Sequence, residues 1–168
     1  TTATSTALNI CCKILLSAIG IAKTSILSIR LPLSISICLL FPTLTLLIFI
    51  KILSKYIKSI NPKIPIRINT NGLGDLINKK KVAPLLKGLI DTVSISLNAP
   101  TAEEFYEITK NKFGIESYDA IKNFAVSCKD YIPNVVFTVV DCIGEEDIKA
   151  SQKICDKLGI ALRVRPFE

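Results

Sequence analysis

Four short runs that read as β-strands, each separated from the next by a helix-length connection, constrain this chain more than anything else in it. They cover residues 64–71, 91–100, 134–141 and 161–165. An amphipathic segment, "SKYIKSINPK", precedes the first and is stopped by Asn61-Pro62. After the first run, Asp75 is placed to cap a helix that Pro84 interrupts and Gly88 closes. After the second, Thr101 stands three residues before Glu104, the spacing of a capping box. A helix over about 117–130 gathers Ile121, Phe124, Ala125 and Cys128 on one face, and another over 145–158 ends at Gly159. No hairpin signal joins any two strands. Connections of this length return each strand parallel to the last through a right-handed crossover, so the expected fold class is α/β with parallel strands.

The strands have an unusual second face. Side chains alternate between the two faces of a strand. In the first run Arg67, Asn69 and Asn71 oppose Ile64, Ile66 and Ile68. In the second, Thr92, Ser94, Ser96 and Asn98 oppose Val93, Ile95 and Leu97. In the fourth, Ala161, Arg163 and Arg165 oppose Leu162 and Val164. The third is less regular, with Val136, Thr138 and Val140 opposing Val135, Phe137 and Asp141. Helices cover the apolar face. A doubly wound sheet would need its other face apolar too, because helices would cover that as well. A curved, barrel-like sheet instead turns its polar face inward, where a polar ligand offsets the cost of burying it. Ligands in such barrels bind at the C-terminal strand ends, which here carry Asn71-Gly72, Asn98, Asp141 and Arg165.

Charge is divided unevenly. Residues 1–74 hold eight Lys/Arg and no acid; residues 75–168 hold thirteen Lys/Arg and fourteen acids. The two parts give +8 − 1 = +7, so the basic balance belongs to the first segment and does not describe a basic stripe on the folded part. No nucleic-acid signal is present once that segment is set aside. The chain has no His, which excludes His-based nucleophile pairs and His metal ligands. Its six Cys form no CxxC pair, and Cys128, Cys142 and Cys155 are expected to be buried small residues of a reduced protein. "NGLG" at 71–74 is too short for a dinucleotide fingerprint.

Residues 1–53 form an atypical first segment, rich in Leu, Ile, Ser and Thr and free of acids. Three readings apply to it, the third a genuine soluble subdomain. AT-rich coding DNA read out of frame, or a truncated start, gives text of this kind. Alternatively, residues 31–50 are twenty residues without a charge, long enough to cross a bilayer and anchor an α/β binding module. The organised part, residues 54–168, is expected to be cytoplasmic on the first reading and membrane-associated on the second.

"RINTNGLGDL", "IDTVSISLNAPTAEEFYEIT", "NVVFTVVD" and "GIALRVRPF", in that order, resemble the second half of a radical SAM protein, and most of all the group linked to TatD-type nucleases. The resemblance spans about residues 54–168. It implies the C-terminal part of a partial (β/α)6, TIM-like barrel. It implies S-adenosylmethionine as a cofactor, with Asn69, Asn71, Ser94, Ser96 and Asn98 facing its ribose and amino group and Arg163 or Arg165 facing its carboxylate. It also implies a [4Fe-4S] cluster that cleaves S-adenosylmethionine reductively to a 5′-deoxyadenosyl radical. The three Cys of a CxxxCxxC loop that such a cluster requires are absent: Cys11 and Cys12 are adjacent and Cys38 lies far away. The expectation is therefore a disrupted radical SAM protein with no cluster ligands, inactive in that chemistry, with a TatD-type nuclease as a functional associate.

Overall fold

The computed structural model describes residues 35–38 and 44–167, all within one compact unit, Leu31–Glu168. In chain order the elements are β1 (Ile35–Cys38), α1 (Leu44–Ile60), β2 (Ile66–Thr70), α2 (Gly74–Asn78) and a 3-10 turn at Ala83–Leu86. Then come β3 (Thr92–Ser96), α3 (Ala102–Thr109), α4 (Ser117–Lys129), β4 (Asn134–Val140), a 3-10 turn at Asp141–Ile143, α5 (Glu145–Leu158) and β5 (Ala161–Arg165). The described strands form a single sheet in the order β1-β2-β3-β4-β5, and every neighbouring pair is parallel. A strand order that follows the chain without reversal sends every crossover the same way round. With right-handed crossovers all the connecting helices then lie on one face of the sheet.

That face is the core. Ile66 and Ile68 of β2, Val93 and Ile95 of β3, Leu97 just beyond it, and Phe137 and Val139 of β4 are all buried. Ile121, Phe124, Ala125 and Cys128 of α4 are buried with them, as the helical spacing of these residues predicts. Fully burying one such large side chain stabilises the fold by about 1.5–3 kcal/mol, so this layer outweighs any polar contact elsewhere. Leu47, Ile50 and Ile57 add α1 to the same cluster. The composition change near residue 54 therefore falls inside a continuous helix, with buried residues on both sides of it.

Polar contacts set the ends of the elements. Asp91 accepts hydrogen bonds from the Ile66 backbone N–H (2.7 Å) and from Lys58 Nζ (2.7 Å), joining the start of β2 to the last turn of α1. Thr101 caps α3, its Oγ1 accepting from the Glu104 N–H at 3.2 Å while donating to the Glu104 carboxylate at 2.7 Å. The three carboxylates in the first turn of α5 and Lys157 in its last complement the helix dipole.

Four departures from expectation concern the fold itself. Asp75 does not cap a helix; Leu73 holds that position, and the Asp75 carboxylate accepts from the Val82 N–H at 2.8 Å and pairs with Lys81. The helix there lasts only through Asn78, because Lys79 takes a left-handed conformation and Pro84 starts a separate 3-10 turn. Asp141 does not belong to a face of β4; Val139 completes the buried side, and Asp141 opens a turn where its Oδ1 accepts from the Phe167 N–H. Residues 31–50 are divided between β1, the start of α1 and positions outside the described residues. No helix among the described residues is long and apolar enough to cross a membrane.

Candidate functional site

The face of the sheet away from the core carries the polar side chains, and the strand register stacks them in rows. Asn69 lies opposite Ser94, Ser94 opposite Val136, and Val136 opposite Ala161. One row nearer the C-terminal ends, Ser96 lies opposite Thr138 and Thr138 opposite Arg163. The next row pairs Val140 with Arg165. Ser94 and Thr138 are buried although they belong to this polar side. Each has a partner: the Ser94 hydroxyl accepts from Arg67, and Thr138 Oγ1 donates to the Ile95 carbonyl at 3.4 Å.

Arg67 organises the floor of this face. Its Nε donates to Asn69 Oδ1 at 3.1 Å and its Nη2 to Ser94 Oγ at 2.8 Å. These two bonds carry the guanidinium from its own row, opposite Thr92, up to the row of Asn69 and Ser94. From there Arg163, on β5, is one row nearer the C-terminal ends, two strands beyond Ser94 and three beyond Asn69. Burial lowers the Arg67 pKa, and the positive fields of Arg163 and then Arg165 lower it further. Among the described residues no carboxylate forms an ion pair with any arginine. Three guanidiniums thus share one face with no carboxylate paired to them among the described residues.

The C-terminal strand ends divide the residues that parity alone would group. After β2, the Thr70 hydroxyl accepts from the Gly72 N–H and Asn71 Oδ1 accepts from the Leu73 N–H at 3.1 Å. Asn71 therefore folds its side-chain oxygen back into its own turn. After β3 the chain leaves the sheet at Ser96, and Asn98 adopts a φ of 65°, which breaks the alternation that would have set it above Ser96. It lines instead a cleft of about 530 Å³ with Val140, Glu104, Glu107, Cys142 and Asp147. Tyr118 of α4 holds this loop in place, its hydroxyl donating to the carbonyls of Ala99 (3.0 Å) and Pro100 (2.9 Å). So Asn69, Ser94, Ser96, Arg163 and Arg165 lie on the paired strands, while Asn71 and Asn98 lie in the turns beyond β2 and β3. Sequence parity marked Arg67 as a member of the face. Its central place emerges only from its two hydrogen bonds, which join neighbouring strands.

Compared with known proteins, the chain matches no family model, no curated protein and no solved structure. The donor set of the described residues does not suit an iron–sulfur cluster. Among them no group of three His, Cys, Asp or Glu side chains is placed to hold a metal ion. Cys128 and Cys155 are buried in the core, and burial pushes their thiols up to about 12 and about 11, away from the thiolate that a metal requires. Cys142 is exposed, contrary to the expectation that all three would be buried, because it lies in the turn after β4 and not on a core face. Iodoacetamide at mildly alkaline pH should therefore alkylate Cys142 readily and spare Cys128 and Cys155 until urea is added. Peptide mass mapping distinguishes the three; equal labelling of Cys128 in the folded protein would contradict the packing.

Proposed function

We propose that this chain is the C-terminal part of a radical SAM-type partial barrel and that its polar sheet face binds S-adenosylmethionine. The observation that carries the reading is a sequentially ordered, all-parallel sheet with one face apolar and the other bearing Arg67, Asn69, Ser94, Ser96, Arg163 and Arg165. Strand order in chain sequence is the arrangement of a (β/α) barrel, whereas a doubly wound sheet reverses at a switch point. The "TNG" turn, the "SISLN" strand and the "RVR" strand agree with the same family pattern.

The side chains offer S-adenosylmethionine complementary chemistry. Arg163 and Arg165 carry guanidinium forks suited to its carboxylate. The Asn69 amide and the Ser94 and Ser96 hydroxyls suit the ribose hydroxyls. Reductive cleavage is not part of the proposal for this chain, since its sequence has no CxxxCxxC loop. Isothermal titration of the full chain with S-adenosylmethionine should show saturable binding. The Arg163→Gln/Arg165→Gln double variant should weaken it about tenfold or more, the value of a charge-assisted hydrogen bond. Absence of heat on titrating a folded wild-type sample would sink the reading.

A further inference from the structure

S-adenosylmethionine cannot by itself balance the charge on the polar face. It carries one carboxylate, one ammonium and one sulfonium, so it is a net monocation. Arg67, Arg163 and Arg165 add three positive charges, with no arginine–carboxylate ion pair among the described residues. Seating a cation against them raises the repulsion unless another anion enters with it.

We propose that Arg67, Arg163 and Arg165 form a binding site for a phosphate-bearing small molecule, seated over the buried Ser94 and Thr138 of the sheet. Three features of the geometry support this. Arg67 is held in place, since its Nε and Nη2 are engaged by Asn69 and Ser94 and its guanidinium cannot swing out to solvent without breaking both bonds. A guanidinium has five donors, so the remaining N–H groups of Arg67 are presented by a fixed plane. Arg163 and Arg165 project from alternate positions of β5 on this same side, one and two rows nearer the C-terminal strand ends, and both are exposed to an incoming ligand. A phosphate group offers several acceptor oxygens and up to two charges, enough to be gripped from more than one side, where a single carboxylate satisfies one fork. Burial lowers the Arg67 pKa, and the fields of Arg163 and then Arg165 lower it further, as expected for guanidiniums on one face.

This inference shares with the preceding section the reading of the face as a ligand site, but it does not require that S-adenosylmethionine be the other occupant. The test titrates the full chain separately with inorganic pyrophosphate, with citrate and with S-adenosylmethionine. Pyrophosphate should bind, more weakly as salt is raised. Arg163→Gln and Arg165→Gln, both on exposed positions, should each weaken it by about tenfold, and Arg67→Lys by more than Arg163→Lys because the held fork is lost. Far-UV circular dichroism establishes that each variant is folded. Pyrophosphate binding without S-adenosylmethionine binding would uphold the phosphate site and overturn the proposed cofactor. S-adenosylmethionine binding without pyrophosphate binding would do the reverse. Citrate binding as tightly as pyrophosphate, or pyrophosphate binding that the arginine variants leave unchanged, would overturn the phosphate assignment.

Discussion

Gly72→Ala should lower the unfolding free energy by about 2–5 kcal/mol, a large share of the stability of a domain this size. Two costs combine. Gly72 has a φ of 76°, a conformation that costs an L-residue about 1–2 kcal/mol. A Cβ added there would also lie 2.9 Å from Ile95 Cγ2 and 3.0 Å from Ile121 Cγ2, and crowding a packed core typically costs about 1–3 kcal/mol. Gly88 separates the two contributions. Its φ is 70°, yet a Cβ there meets nothing within 4 Å, so Gly88→Ala should cost only about 1–2 kcal/mol. Urea unfolding of both variants measures the difference. Equal losses would mean that β2, β3 and α4 do not close as tightly around Gly72 as these contacts require. Because Gly72 follows the strand that carries Arg67 and Asn69, the same variant should also weaken anion binding.

The second large effect is alkaline. Burial raises the Cys128 thiol from an ordinary value of 9.0 to about 12. A group whose folded pKa lies above its unfolded value stabilises the fold below the unfolded pKa, and that stability drains away as pH rises toward the folded pKa. Between about pH 9 and pH 11 the unfolded chain releases the proton while the folded chain keeps it. The loss from Cys128 alone should reach about 2–3 kcal/mol, and burial of Cys155 acts in the same direction. Burial likewise raises the Tyr118 hydroxyl. Urea midpoints measured across this range should fall more steeply for the wild type than for Cys128→Ala, even though the variant starts from a lower stability. Parallel curves would show that the thiol ionises without unfolding.

Helix and strand identity was readable in the sequence wherever periodicity and capping chemistry agreed. α5 and β5 begin and end where the spacing places them, and Thr101 caps α3 as its distance from Glu104 predicts. Asp75 shows the limit of that reasoning. A carboxylate before an apolar run looks like a helix cap, but the Val82 N–H competes for it across a returning chain. Local sequence does not reveal how near Val82 comes. Asn98 shows a second limit. Alternation predicts a side only while the strand continues, and a left-handed residue two positions beyond Ser96 ends that prediction.

What the sequence determined by itself is the α/β class, the parallel sense of the strands and the existence of one polar face. Each follows from a short-range property: the period of apolar residues, the length of a connection or the alternation of a pleat. Tertiary structure alone decided which polar residues meet. Arg67 lies 96 positions from Arg163 in the chain; the parallel register puts both on one face of the sheet, and two hydrogen bonds lean Arg67 one row toward the row of Arg163. It also decided that Asn71 and Asn98 lie in turns beyond the paired strands and that Cys142 reaches the surface. The physical reason is the same in each case. Backbone pairing between strands sets the spacing of side chains that the chain itself keeps far apart, and a site made of such side chains exists only once the sheet has formed.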